Sequence, residues 1–156
     1  MSAIEHRLKE MGLELPEVVA PVAAYVPAVR SGNLIYTSGQ LPFVNGQLPA
    51  VGKVGEGEGL VSAEKAEELA QICALNGLAA LKGMIGSLDR VKQVIKVTAF
   101  VASDPSFGGQ PVVANGASVF LGQVFGDAGI HSRSAVGVAA LPFDAPVEIE
   151  FVFEVE

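Results

Sequence analysis

The last ten residues, VEIEFVFEVE, alternate strictly. Val147, Ile149, Phe151, Phe153 and Val155 point one way and Glu148, Glu150, Val152 and Glu154 the other. A two-residue period predicts a strand with one face on a core. VKQVIKVTAFVAS and SRSAVGVAAL, rich in β-branched or small residues, predict two more strands, and LPFDAP turns the chain after the second. AVRSGNLIYTSG reads as two short strands around a Ser-Gly-Asn turn. Helical spacing appears three times. Residues 2–11 place Ile4, Leu8 and Met11 on one face, with Ser2 as N-cap and Gly12 as stop. A long helix opens at Ser62 and runs to about Gly86, with Glu64, Glu67 and Glu68 near its positive end. VVANGASVFLGQVFG predicts a third helix, with Val112, Val119, Phe120 and Val124 as its expected buried residues.

Between these elements lie two irregular stretches. LELPEVVAPVAAYVP carries three prolines and predicts an extended arm, because proline removes a backbone donor. Leu41 to Gly59 is glycine-rich and predicts turns and a mobile loop. The order helix, β, β, helix, β, helix, β, β predicts an α+β fold, with two long helices on one face of a mixed sheet. The 156 residues are expected to form one domain, 1–156, in which 1–20 are an N-terminal helix and arm.

Composition narrows the function. Half the residues are apolar and 17% are charged, which is a globular balance with some apolar surface available for subunit contacts. The net charge of −7, without a basic run, argues against nucleic acid as a partner. No apolar run is long enough for a membrane span, and the charged N-terminus is not signal-like, so a cytoplasmic location is expected. The single cysteine, Cys73, falls in the long helix and reads as a buried small hydrophobe. Phosphate-loop, dinucleotide and Cys-x-x-Cys motifs are absent, and two histidines are too few for a His-rich metal site.

Arg133 lies in a strand of Ala, Gly, Ser and Val, on the same face as Ala135, Gly137 and Ala139. Small neighbours leave room for a ligand beside a guanidinium whose planar fork suits a carboxylate. From spacing alone the plainer reading, a surface or interfacial salt bridge to a residue such as Glu148, is favoured. Glu148 and Glu150 read as a solvated sheet face, unless that face is covered and its charges need partners. Tyr25 reads as a partly buried aromatic, Ser38 and Gln40 as turn chemistry, Asn115 as a local cap in the first turn of its helix, and Asn76 as a bond to nearby backbone.

Taken in order, YVPAVRSGNLIYTSGQLP, ALNGLAAL, VIKVTAFV, ANGASVF and above all SRSAVGVAALPFDAPVEIE resemble the Rid family, the YjgF-like reactive imine deaminases whose members also carry the label L-PSP endoribonuclease. The resemblance runs from about Tyr25 to the C-terminus. It implies a chorismate-mutase-like fold of the bacillus type and a homotrimer with ligands in clefts between subunits. It also implies hydrolysis of 2-imino acids to 2-keto acids and ammonia, with no metal or organic cofactor. By the same resemblance Arg133 grips the substrate carboxylate and Glu148 holds a water. Tyr25, Ser38 and Asn115 line the pocket, some of them from the adjacent subunit. Where the better-known branch has a cysteine, two residues after the arginine, this chain has Ala135. The N-terminal helix and the long glycine-rich loop resemble a longer subgroup. Two other functions stay open: a non-catalytic, chaperone-like trimer that binds small carboxylates, and, less favoured, an endoribonuclease.

Overall fold

The computed structural model describes residues 2–18 and 23–156. Three helices and five strands follow one another as α1 (Ala3–Glu10), β1 (Ala28–Ser31), β2 (Leu34–Thr37), α2 (Ala63–Ile85), β3 (Val91–Ala102), α3 (Gln110–Phe125), β4 (Ser132–Val138) and β5 (Val147–Val155). The sheet order is β1-β2-β5-β3-β4. Only β3 and β4 are parallel, and α3 provides the crossover that a parallel pair requires. The two C-terminal strands are therefore not neighbours. The alternating strand β5 enters between β2 and β3, antiparallel to both.

Local chemistry explains the element ends. Ser2 accepts from Glu5 N while the Glu5 side chain accepts from Ser2 N, a reciprocal cap that starts α1. Asp89 fixes the same end by accepting from Ala3 N and Ile4 N. Ser62 caps α2 by accepting from Lys65 N, and Gly86, at φ 82°, ends it. Gly32, at φ 59°, opens the two-residue turn that pairs Ser31 with Leu34.

Strand β5 buries Val147, Ile149, Phe151, Phe153 and Val155, as its alternation predicts. Helix α2 lies directly on this face, for a Cβ at Gly77 would stand 2.7 Å from the Phe151 ring. In α3 the expected face is half right, with Phe120 and Val124 buried but Val112 and Val119 turned outward. Val113, Ala114, Ala117, Phe120, Leu121 and Val124 are buried, whereas Val112 and Val119 are 49% and 57% exposed. This helix is apolar nearly all round, so its contacts with α2 rather than its own pattern set its rotation.

The glycine-rich stretch does not hang free. Asn76 of α2 donates to the carbonyls of Leu41 and Phe43, the backbone bond expected of it. Val54 is fully buried and bridges both Val61 and Ser103. Gly52 N donates to Asp144 O. Glycine content here serves close turns, not a loose excursion. Of the proline-rich arm, Pro16 and Pro27 are described, while residues 19–22, including Pro21, lie outside the described residues.

Among the described residues no helix packs on the other face of the sheet. Row by row it carries Glu148, Phe100 and Val136, then Glu150, Thr98 and Ser134. Tyr36 and Val136 on this face are 47% and 45% exposed. Among the described residues no helix is long and apolar enough to cross a membrane.

Candidate functional site

Arg133 pairs in register with Val97, and Ala135 with Ala99, both of which are buried on the helix face. Arg133 therefore points to the helix side of β4, an edge strand. There its Nη1 donates to Asn115 Oδ1 at 2.8 Å and to Ser118 Oγ at 3.1 Å. Asn115 and Ser118 are three apart on α3 and so share a face. Asn115 lies in the second turn of α3, and its side chain serves Arg133 rather than a cap. The Ser118 hydroxyl also meets His131 Nε2 at 2.8 Å, and His131 Nδ1 lies 2.6 Å from Gly129 O. No carboxylate pairs with Arg133 among the described residues.

The remaining predicted residues gather elsewhere. Glu148 pairs in register with Phe100, on the face without helices. It lies over Gly39, where a Cβ would be 2.5 Å from Glu148 Oε1. The chain makes room for it with an extra residue, since Tyr36 pairs with Val152 but Gln40 with Ile149. Four steps on one strand thus face three on the other, a β-bulge, which is a common way to re-aim groups beside a site. Thr37 fills the break by accepting from Phe151 N. Ser38 donates from Oγ to Val26 O at 2.6 Å and from its N to Pro27 O, holding the segment that carries Tyr25. Tyr25 itself is 57% exposed in the single chain, not partly buried. Burial, and then the charge of Glu150, raise the Glu148 carboxyl above the usual glutamate range.

Arg133 and Glu148 thus belong to two clusters on opposite faces. Strand spacing and rise put their Cα atoms about 14 Å apart, with β3 between them. Within one chain Arg133 forms no salt bridge to Glu148. Asn115 and Arg133 come together, as do Glu148, Ser38 and the Tyr25 segment, but no small molecule could touch both sets within one chain. Ser118 and His131 were not singled out by sequence reasoning. The signals were present: Asn-x-x-Ser on a helix, and a histidine two residues before the arginine.

Two further features carry no such chemistry. A groove of about 290 Å³ between α2 and α3 is lined by Glu64, Glu67 and Glu68, which would repel a carboxylate, and it does not include Arg133. Burial pushes the Cys73 thiol well above its ordinary value, so it is not poised as a nucleophile. Among the described residues no three of His, Cys, Asp and Glu converge as metal ligands.

Residues 5–154 match a family model described as "YjgF/chorismate_mutase-like, putative endoribonuclease". The chain belongs to the YjgF family. A relative, protein TCP17 of Trypanosoma cruzi, is 43% identical over 148 residues, covering 94% of this chain and 91% of its own. A crystal structure from Shewanella oneidensis, of what is called "a putative endoribonuclease", is 31% identical with TM-score 0.92, covering 99% of this chain and all of its own. RidA from an Antarctic Psychrobacter is 29% identical with TM-score 0.60, covering 89% of this chain and 94% of its own. Membership of the YjgF family thus spans both the endoribonuclease and the RidA names, and the chemistry must be argued from the site.

Proposed function

We propose that this protein hydrolyses small 2-imino acids, tautomers of reactive enamines, to 2-keto acids and ammonia, in clefts between the subunits of a homotrimer. The observation that carries the proposal is the state of Arg133. It has no carboxylate partner, and its Nε–H and Nη2 protons have no acceptor among the described residues. These protons form one planar edge, the side-on fork that receives a carboxylate through two parallel bonds.

Glu148 supplies the second half of the chemistry. Across a subunit boundary it faces the imine carbon and holds the attacking water, with Tyr25 beside it. Its raised pKa makes it a better proton acceptor near neutral pH than an ordinary surface glutamate. Water adds to the C=N carbon and one of its protons passes to the carboxylate. The carboxylate returns that proton to nitrogen to complete the carbinolamine, and in its collapse the hydroxyl proton passes the same way to nitrogen as the C–N bond breaks, ammonia leaves and the carbonyl forms. Imines hydrolyse readily in water, so holding the carboxylate and the water in line is sufficient catalysis. Asn115 orients Arg133, Ser38 holds the Tyr25 segment, and neither a metal nor an organic cofactor takes part.

The separation of the two clusters within one chain supports a composite site. The exposed Tyr36 and Val136 beside Glu148 support a sheet face covered by other subunits. An RNA-cleaving role has less support. The chain is acidic, and both ring nitrogens of His131 are engaged by Ser118 and Gly129.

The test is release of keto acid from iminopyruvate generated by an amino-acid oxidase. Wild-type protein should accelerate release, and Arg133→Ala should lower kcat/KM by about tenfold or more, the worth of a hydrogen bond to a charged group. Equal rates for the two proteins would overturn the proposal. A wild type that binds pyruvate without accelerating release would make it a carboxylate-binding trimer instead.

A further inference from the structure

We infer that Ser118 and His131 are positioning residues for Arg133, a relay that decides which edge of the guanidinium meets the ligand. The inference rests on the reading of Arg133 as the carboxylate-binding group.

The relay starts at a backbone carbonyl. Gly129 O can only accept, so His131 Nδ1, 2.6 Å away, carries the proton. In the neutral ring Nε2 is then an acceptor. The Ser118 hydroxyl, 2.8 Å from Nε2, must donate to it. That turns a lone pair of Ser118 Oγ toward Arg133 Nη1 at 3.1 Å. Asn115 Oδ1, at 2.8 Å, takes the second proton of the same nitrogen. Nη1 has two protons and both are now committed.

Two consequences follow for the ligand. Nη1 is withdrawn from it, so the end-on approach across Nη1 and Nη2 is closed and the side-on edge of Nε and Nη2 is left. The guanidinium plane is also fixed by two acceptors one helical turn apart, so less rotamer freedom is lost when a carboxylate binds. Ala135 follows on the same face of β4 and adds no bulk there beyond a methyl group.

Without the His131 acceptor, the Ser118 hydroxyl is free to turn its proton toward α3 backbone or toward Arg133 itself. The second case sets a donor against a donor. His131 therefore acts on Arg133 only through Ser118, which separates a positioning role from mere tethering of β4 to α3.

The experiment measures pyruvate dissociation constants by calorimetry on the whole oligomer, for wild type, Ser118→Ala, His131→Phe, His131→Gln, the Ser118→Ala/His131→Phe double variant, and Arg133→Ala. Loss of one bond to Arg133 should weaken pyruvate about five- to tenfold in Ser118→Ala and in His131→Phe. The double variant should be no weaker than Ser118→Ala, because the two residues act in series. His131→Gln, whose amide oxygen can replace Nε2 as acceptor, should restore affinity. Unchanged affinity in Ser118→Ala and His131→Phe, with binding lost in Arg133→Ala, overturns the relay and leaves the carboxylate reading intact. Unchanged affinity in Arg133→Ala, or no pyruvate binding by wild type, overturns the reading beneath it.

A readout on the wild type guards against variants that fail to fold. The chain has two histidines, so His6→Gln assigns the ring signals in a nitrogen-15 spectrum. The relay requires protonated Nδ1 and bare Nε2 at His131 at neutral pH. The opposite tautomer would overturn it.

Discussion

Replacing Gly116 by alanine sets two energies of opposite sign against each other. Gly116 sits inside α3, where alanine is intrinsically better by about 0.8–1 kcal/mol. Its missing Cβ is what lets α3 approach α2. An added Cβ would lie 2.8 Å from the carbonyl carbon of Glu67, nearer still to its oxygen, and 3.1 Å from Ala70 Cβ. Comfortable carbon contacts begin near 3.5 Å or more, so α3 must retreat by about 1 Å, and a gap of that size forfeits a quarter to a half of each contact's attraction. The obstacle is backbone and cannot swing aside. Overpacking of this kind costs about 1–3 kcal/mol, more than the propensity gain. Gly122, in the same helix, provides the control, since a Cβ there would meet nothing within 4 Å. Gly122→Ala should therefore stabilise by about 1 kcal/mol, and Gly116→Ala should fall below it by about 1–3 kcal/mol, a net loss of up to about 2 kcal/mol. For a chain of this size each kcal/mol moves Tm by about 2–4 °C. Urea melts and calorimetry at one fixed protomer concentration would separate the two, concentration being fixed because the proposed assembly would add apparent stability. Gly116→Ala as stable as Gly122→Ala would refute the close-approach argument.

Two further predictions concern the Glu148 cluster. Since the folded protein holds Glu148 above its ordinary value of 4.5, folding binds a proton there more tightly than the unfolded chain does. That stabilisation is full below 4.5 and is lost as pH rises through the folded value. Glu148→Gln should therefore gain stability relative to wild type between pH 4 and 7 in urea melts, and parallel curves would contradict the assignment. Gly39→Ala, whose Cβ would press on the Glu148 carboxylate at 2.5 Å, should displace a flexible side chain. It should leave Tm little changed while iminopyruvate turnover falls, and unaltered kcat/KM would refute the proposed place of that carboxylate.

Much of the architecture is legible in local pattern. The alternation of 147–155 announces its own buried face, and Ser2, Ser62 and Gly86 mark helix ends through capping chemistry that acts within a few residues. What stays hidden depends on partners far along the chain. Helix α3 is apolar on most sides, so its rotation follows from where Gly116 admits Glu67, and Val119 turns outward. The insertion of β5 between β2 and β3 is a choice among pairings that no strand makes alone. The same limit governs the site. Alternation tells which residues of β4 stand with Arg133 and which of β5 with Glu148, but not that the two sets face opposite sides. That sign is fixed by the crossover through α3 and by register with β3. Ser118 and His131 escape notice because each is ordinary in its own segment and meaningful only beside Arg133.

The proposed site joins Arg133 of one subunit to Glu148 of another. Arg133→Ala and Glu148→Ala proteins, each expected to be impaired alone, should be unfolded together, refolded as mixed oligomers and assayed for keto-acid release from iminopyruvate. A composite site predicts recovered activity, because a subunit that keeps Arg133 can meet a neighbour that keeps Glu148. Mixed oligomers, verified by distinct mass tags, that stay as impaired as either parent would contradict the account.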